Sequence, residues 1–178
     1  MKIQILPIIK IICAILTYII GARITINIGM IPITGQSLAI LSWAIFLIPS
    51  EAIISLLIYL ILGALGLPVF ADGEGGIQHL YGNSAGFLWG FLVSSFVVSS
   101  LNNKDKRRNF LKYLNLMTLG TLILLFFGVT RLAFKFGVRN ALEYGFYPFW
   151  TGAVIKILVG AIVVYYINRI LKGYSSSM

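Results

Sequence analysis

Long charge-free apolar stretches constrain the fold of this chain more than any other feature. A membrane-spanning helix needs roughly 20 mostly apolar residues to cross a hydrocarbon core of about 30 Å, and the chain divides into six such pieces. Only 11% of its 178 residues are charged and 59% are hydrophobic, whereas about a quarter of the residues of a soluble domain are charged. We therefore predict an all-α integral membrane protein in which residues 1–178 form one domain, a bundle of six transmembrane helices.

The predicted spans cover residues 3–22, 35–48, 52–67, 82–101, 113–134 and 149–167. The second and third spans form one apolar run that is interrupted only by Pro49, Ser50 and Glu51. Because the residue before a proline disfavours helix, we expect the break between these two helices here. Both spans are short, so the pair fits either two tilted spans or a partly re-entrant hairpin.

The basic residues predict the orientation of the bundle, because short cytoplasmic loops collect Lys and Arg. Five basic residues lie between positions 104 and 112, and four more flank the two ends of the chain: Lys2, Lys10, Arg169 and Lys172. With six spans these regions share one side, so both termini are predicted to be cytoplasmic, in the plasma or inner membrane of a prokaryotic-type cell. Most of the net charge of +9 then reflects topology, and no nucleic-acid partner is expected.

Lys156 is the most unusual residue, because it lies in an otherwise uncharged segment of membrane length, residues 146–167. A buried ammonium there costs on the order of 2.5 to 3.5 kcal/mol or more, so it should face the protein interior and meet an anion. The five acidic residues all lie at or beyond the ends of apolar runs: Glu51, Asp72, Glu74, Asp105 and Glu143. We therefore expect a ligand to supply the counter-charge. The alternative is that Lys156 pairs with helix C-terminal carbonyls or with Tyr or Trp rings.

The depth of Lys156 can be counted along the last span. If Pro148 occupies the first turn of that span, Lys156 lies roughly 12 Å deeper, at the floor of an outward-facing pocket.

Arg131 is a second basic residue at the end of an apolar run, near the predicted outer face. It ends a charge-free run, and Lys135 follows four residues later. Arg131 is expected either to snorkel to lipid headgroups or to guide an anionic substrate.

The first span carries Cys13, Thr17 and Gly21 at four-residue spacing. Such a stripe of small residues lets another helix approach closely. It fits either a surface for a partner helix or packing inside the bundle. Cys13 is the only cysteine, which excludes an internal disulfide and a thiolate metal cluster.

The residue inventory argues against an enzyme and against transport driven by this chain alone. One histidine, one cysteine and no acid within an apolar run leave no nucleophile with its base and no set of metal ligands. His79, at the mouth of the fourth span, is expected to be an interfacial residue. No Walker-type phosphate-binding string occurs, and no intramembrane carboxylate can relay protons or bind sodium. We expect no cofactor and no metal.

Five strings spread in order over nearly the whole chain have a recognisable pattern. They are IPITGQSL at 31–38, GALGLPVFA at 63–71, GG at 75–76, GNSAGFLWGF at 82–91 and PFWTGAVIK at 148–156. Together they resemble the signature of the BioY family, the biotin-binding S components of energy-coupling factor (ECF) transporters. The resemblance implies an ECF S-component fold, a binding role for Lys156, and partners in the form of a transmembrane coupling subunit and cytoplasmic ATPases.

The chain departs from the family pattern at one ligand-recognition position. The family's acidic residue, three positions before its lysine, is Ala153 here, and the resemblance assigns that acid a hydrogen bond to the ureido ring of biotin. Because amides offer both donors and acceptors, ring recognition is expected from residues of the outer loops: Gln36, Gly82, Asn83 and Ser84. An apolar wall is expected from aromatic residues: Phe70, Phe87, Trp89 and Trp150. Capping of the fourth helix by Asn83 or Ser84 is a compatible role.

The sequence thus predicts a membrane subunit that captures biotin, or a close small carboxylate analogue, from outside for uptake driven by a partner ATPase module. Two alternatives stay open. One is an S component for a different small anionic vitamin. The other is a structural or assembly protein of the membrane that has lost substrate binding.

Overall fold

The computed structural model describes residues 5–26, 32–105 and 107–175, without the side chains of residues 151 and 172–175. Seven α-helices occupy most of this part of the chain: α1 (Ile5–Arg23), α2 (Gln36–Phe46), α3 (Pro49–Ala64), α4 (Ala85–Lys104), α5 (Phe110–Phe136), α6 (Val138–Gly145) and α7 (Tyr147–Ser175). Two short antiparallel strands, β1 (Thr25–Ile26) and β2 (Ile33–Thr34), connect α1 to α2. Residues 27–31 of the first predicted outer loop lie outside the described residues.

The six longer helices alternate in direction, which confirms the predicted six-helix membrane bundle. Four described segments are long and apolar enough to cross a membrane: Ile5–Arg23, Ala85–Lys104, Phe110–Phe136 and Val138–Leu171. The two others, α2 and α3, are shorter apolar helices of 11 and 16 residues. We call the end where α1, α3 and α5 finish the cavity end, and the opposite end the termini end. Which end faces the cytoplasm stays a prediction.

The break between α2 and α3 lies two residues earlier than predicted. Helix α2 finishes at Phe46, and Pro49 is the first residue of α3, where a proline is tolerated because no helical hydrogen bond is lost. The Glu51 carboxylate accepts a hydrogen bond from the backbone N–H of Ile48 (3.1 Å). The three residues expected to interrupt the helices, 49–51, instead build the first turn of α3, with a buried acid at the positive end of the helix.

Helices α4 and α5 pack closely because glycines line their contact. A Cβ atom at Gly86 would lie 2.4 Å from the carbonyl oxygen of Phe127, and one at Gly128 would lie 2.3 Å from the Phe87 ring. Neither position therefore accepts a side chain without a shift of its neighbour. This contact fixes the start of α4 against the second half of α5, both of which border the site described below.

The basic loop between α4 and α5 has a structural role of its own. The Lys112 ammonium donates to the carbonyl oxygens of Asn102 (3.3 Å), Asp105 (2.5 Å) and Arg107 (3.0 Å), which satisfies the end of α4. The Asp105 carboxylate accepts hydrogen bonds from the Arg107 side chain, and these lower the pKa of Asp105 to about 2. Charged side chains of the loop thus hold part of it in place.

The stripe of small residues on α1 is buried at one end and exposed at the other. Gly21 is buried, and a Cβ there would lie 3.0 Å from the carbonyl carbon of Gly35 at the start of α2. The Thr17 hydroxyl donates to the carbonyl oxygen of Cys13 (2.7 Å), and Cys13 itself is exposed. Gly21 therefore serves packing inside the bundle, whereas Cys13 lies on the outer surface.

Candidate ligand-binding site

A cavity of about 520 Å³ opens at the cavity end of the bundle. Its walls come from β2, the start of α2, the loop between α3 and α4, and helices α4, α5 and α7. Its polar lining includes Thr34, Gln36, Ser37, Glu74, Gln78, His79, Asn83, Ser84, Thr121, Lys135 and Lys156, and its aromatic lining includes Phe70, Tyr81, Phe87, Phe91 and Phe149. This size and mixture suit a small organic molecule.

Lys156 lies in the wall of this cavity, on α7 and eight residues after Pro148. Its ammonium donates to the Ser37 hydroxyl (2.8 Å) and to the carbonyl oxygen of Thr34 (3.3 Å). Among the described residues Arg107 forms an ion pair with Asp105 and His79 lies 3.5 Å from Glu74, and neither contact involves Lys156. The ammonium is therefore held by neutral acceptors beside an open chamber, and neither acceptor belongs to the C-terminal end of a helix.

A chain of hydrogen bonds joins Thr34, in the cavity wall, to the loop after α3. The Thr34 hydroxyl donates to Gln36 Oε1 (2.8 Å), and Gln36 Nε2 donates to the Tyr59 hydroxyl (2.5 Å). The Tyr59 hydroxyl in turn donates to the carbonyl oxygen of Val69 (2.8 Å). Gln36 thus borders the cavity while its amide ties together β2, α3 and the loop after α3.

The start of α4 contributes the predicted loop residues to the rim. Gly82, Asn83 and Ser84 all line the cavity. The Lys135 ammonium donates to Asn83 Oδ1 (2.6 Å), and since an ammonium can only donate, the amide nitrogen of Asn83 is left as the donor for other groups. Ser84 occupies the position before α4, but its side chain makes no capping hydrogen bond.

Two predicted binding residues, Arg131 and Trp150, do not line the cavity. The Arg131 guanidinium donates to the backbone carbonyl oxygens of Tyr81 and Gly82, so it holds the rim loop and does not project into the chamber. Trp150 is half-exposed on the outside of α7, where it stacks on Phe146 at 5.8 Å.

The aromatic wall comes from other residues than Trp150. Phe149, its neighbour, turns inward and stacks on Phe87 at 5.0 Å. Phe70 also lines the cavity, as predicted. Trp89, the fourth aromatic residue expected there, points elsewhere and donates from its indole N–H to the carbonyl oxygen of Leu80 (2.9 Å).

Several lining residues were not predicted as site residues. Ser37 and Thr34 are the partners of Lys156, and Lys135 brings a second cation to the rim. His79, expected to be only interfacial, lines the cavity 3.5 Å from Glu74. Ser37 follows directly after Gln36 and belongs to the string IPITGQSL, and this string is the signal in the sequence that could have pointed to it.

These features define a multi-pass membrane protein with a ligand cavity open at one end of a helix bundle. The model of the BioY family matches residues 1–173, and the chain belongs to that family. It is 34% identical to "Biotin transporter BioY" of Thermotoga maritima, over 85% of this chain and 89% of the relative. It is 30% identical to "Probable biotin transporter BioY" of Rickettsia prowazekii, over 94% and 86%.

A solved structure has the same fold. Its title reads "Crystal structure at 2.1 A of the S-component for biotin from an ECF-type ABC transporter". The two superpose with a TM-score of 0.82 at 24% identity, over 93% of this chain and 92% of the other. The predicted S-component fold is therefore confirmed, and the chain groups with transporter components and not with enzymes.

Proposed function

We propose that this protein is the substrate-capture subunit of an ECF-type transporter and that it binds biotin in the cavity at the cavity end of the bundle. The observation that carries the proposal is Lys156, a cation in the wall of a chamber of ligand size whose hydrogen-bond partners among the described residues are neutral. Removing such a charge from water is costly without a counter-charge. A ligand carboxylate would supply that counter-charge, and biotin carries one on a slender apolar tail.

The remaining lining suits the other end of the same ligand. A ureido ring presents one carbonyl acceptor and N–H donors. Asn83 can donate from its amide nitrogen to the ring carbonyl while its oxygen accepts from Lys135. The Glu74 carboxylate can accept from a ring N–H. Phe87 and Phe149 form a flat stacked pair on which an apolar ring system can lie.

We propose that transport requires partner subunits, a coupling membrane protein and ATPases, since this chain carries no phosphate-binding string. A groove of about 660 Å³ runs along the side of the bundle between α1, α2 and α7. It is lined largely by apolar side chains and includes Thr17 and Gly21 from the stripe of small residues. This lateral groove, which Cys13 does not line, is where a helix of the coupling subunit would pack.

The test is calorimetric binding of biotin and of biotin methyl ester to the purified protein. We expect the acid to bind more tightly than the ester, and Lys156→Ala to abolish tight binding of the acid. Arg139→Ala is the matched control, because Arg139 is an exposed cation at the same end of the bundle and outside the cavity. Equal binding of acid and ester would contradict the role of Lys156, and no binding of biotin at all would contradict the proposed function.

A further inference from the structure

Residues 80–83, which we call the rim segment, lie at the mouth of the ligand cavity just before α4. The last three of them, Tyr81, Gly82 and Asn83, belong to no helix or strand, and all three line the cavity. Ser84 follows, and its side chain makes no capping hydrogen bond. The shape of the cavity mouth therefore depends on what else holds this segment.

Arg131 holds the middle of the rim segment. Its guanidinium donates to the carbonyl oxygen of Tyr81 and, through Nε, to that of Gly82 (3.4 Å). A guanidinium presents its donors in a rigid fork, so it can bind two neighbouring carbonyl groups at once. A Cβ atom at Gly86 would lie 2.5 Å from Arg131 Cβ. The first turn of α4 thus packs directly against the residue that holds the segment before it.

Two more side chains hold the ends of the rim segment. The Trp89 indole N–H donates to the carbonyl oxygen of Leu80 (2.9 Å), and the Lys135 ammonium donates to Asn83 Oδ1 (2.6 Å). Each of the four residues of the segment therefore gives one oxygen atom to a side-chain donor on α4 or α5. Because glycines let these two helices pack closely, the donors belong to one rigid frame.

We propose that Trp89, Arg131 and Lys135 are positioning residues, which clasp the rim segment against α4 and α5 and so slow the escape of a bound ligand from the cavity. A loop that is already ordered loses less conformational entropy when a ligand binds. The mouth can widen at this segment only if hydrogen bonds from charged donors break. The identity of the ligand rests on the proposed function, whereas the immobility of the rim segment does not.

The first test needs no ligand. A nitroxide attached at Tyr81→Cys, in the full chain with Cys13→Ser, reports the mobility of the rim segment by electron paramagnetic resonance. We expect Arg131→Met to shift the spectrum toward faster motion, because two carbonyl groups lose their donor. Trp89→Phe, which keeps an aromatic ring and loses the N–H, should shift it in the same direction, and it carries the test if Arg131→Met does not fold.

Arg23→Met is the matched control for this measurement. The Arg23 guanidinium donates to the carbonyl oxygen of Pro68 (2.6 Å), which belongs to the same loop, and neither residue lines the cavity. We expect this variant to leave the nitroxide spectrum unchanged. A spectrum of Arg131→Met equal to that of the unaltered chain, or the same shift in Arg23→Met, would overturn the proposal.

The second test measures how fast biotin leaves the cavity, by stopped-flow displacement. We expect Arg131→Met to raise the dissociation rate constant by about tenfold or more, since a hydrogen bond from a charged donor is worth about that factor. The association rate constant should change much less, and Arg23→Met should change neither. An unchanged dissociation rate constant in Arg131→Met would overturn the role in ligand retention. If the chain binds no biotin, the proposed function fails, and the nitroxide spectra still decide whether the rim segment is clasped.

Discussion

Tyr59 is the residue on which the hydrogen bonds behind the cavity converge. Its hydroxyl accepts from Gln36 and donates to Val69, and the side chain is fully buried between α1, α3 and the loop after α3. Its ring contacts Tyr18 and Phe70 edge-on, at 5.9 and 5.6 Å. The packing of this ring and the bonding of its hydroxyl are therefore separable by mutation.

We expect Tyr59→Phe to keep the ring contacts and to leave the Gln36 amide and the Val69 carbonyl each without a partner. A buried polar group without its partner costs about 1–3 kcal/mol, so the thermal unfolding midpoint in detergent should fall. Tyr166→Phe is the control, because Tyr166 is 55% exposed on the outer surface of α7. A midpoint for Tyr59→Phe equal to that of the control would contradict the role of this network.

At the scale of single residues, the distance of a side chain from the start of its helix could be predicted from sequence. The side of the helix on which it lies could not. Lys156 follows Pro148 by two helical turns, so its distance from the helix start was fixed by counting. Trp150 and Phe149 are adjacent, and 100° of rotation about the helix axis decides which of them faces the cavity. That rotation depends on how α7 packs against α2 and α5, which no local pattern records.

Among the elements, the contact of α4 with α5 makes the sharpest stability prediction. A methyl group at Gly86 would meet the Phe127 carbonyl oxygen at 2.4 Å, and backbone cannot move aside as a flexible side chain can. We expect Gly86→Ala to destabilise the protein by about 1–3 kcal/mol, despite the gain in helix propensity. Thermal unfolding in detergent measures the effect.

Gly152→Ala is the matched control for that substitution. Gly152 is also helical, and a Cβ there would lie 3.6 Å from Ile33 Cγ2, an ordinary contact. Helix propensity alone then predicts no loss, and a gain of up to about 1 kcal/mol. If both variants unfold at the same temperature, the close approach of α4 and α5 does not contribute as described.

Helix boundaries show which signals sequence carries at this scale. Pro49 marked the break between α2 and α3, but a proline fits the first turn of a helix as well as the residues before it, so the boundary was misplaced by two residues. The eight residues of α6 were missed altogether. Two turns are too few to establish a helical period of apolar residues. Ala141 and Gly145 form the buried face of α6, and this face is defined only by the packing of α6 against α5.

For the whole molecule, hydropathy predicted six helices and their alternation, because each backbone polar group in lipid must be satisfied within its own helix. The cavity is a property of the assembled bundle. Ser37 and Lys156 meet at 2.8 Å although 119 residues separate them in sequence. Motif resemblance drew attention to both ends of that contact, and only the packing of α2 against α7 brings them together.

The orientation of the bundle gives a prediction that concerns the molecule as a whole. The basic loop at the termini end should face the cytoplasm, because short cytoplasmic loops collect Lys and Arg, and the cavity should then open outward. In a Cys13→Ser background, Arg139→Cys and Asn103→Cys place single exposed thiols at the cavity end and the termini end. A membrane-impermeant maleimide added to intact cells should label position 139 at once and position 103 only after lysis. Labelling in the reverse order would turn the cavity toward the cytoplasm and exclude capture of a ligand from outside.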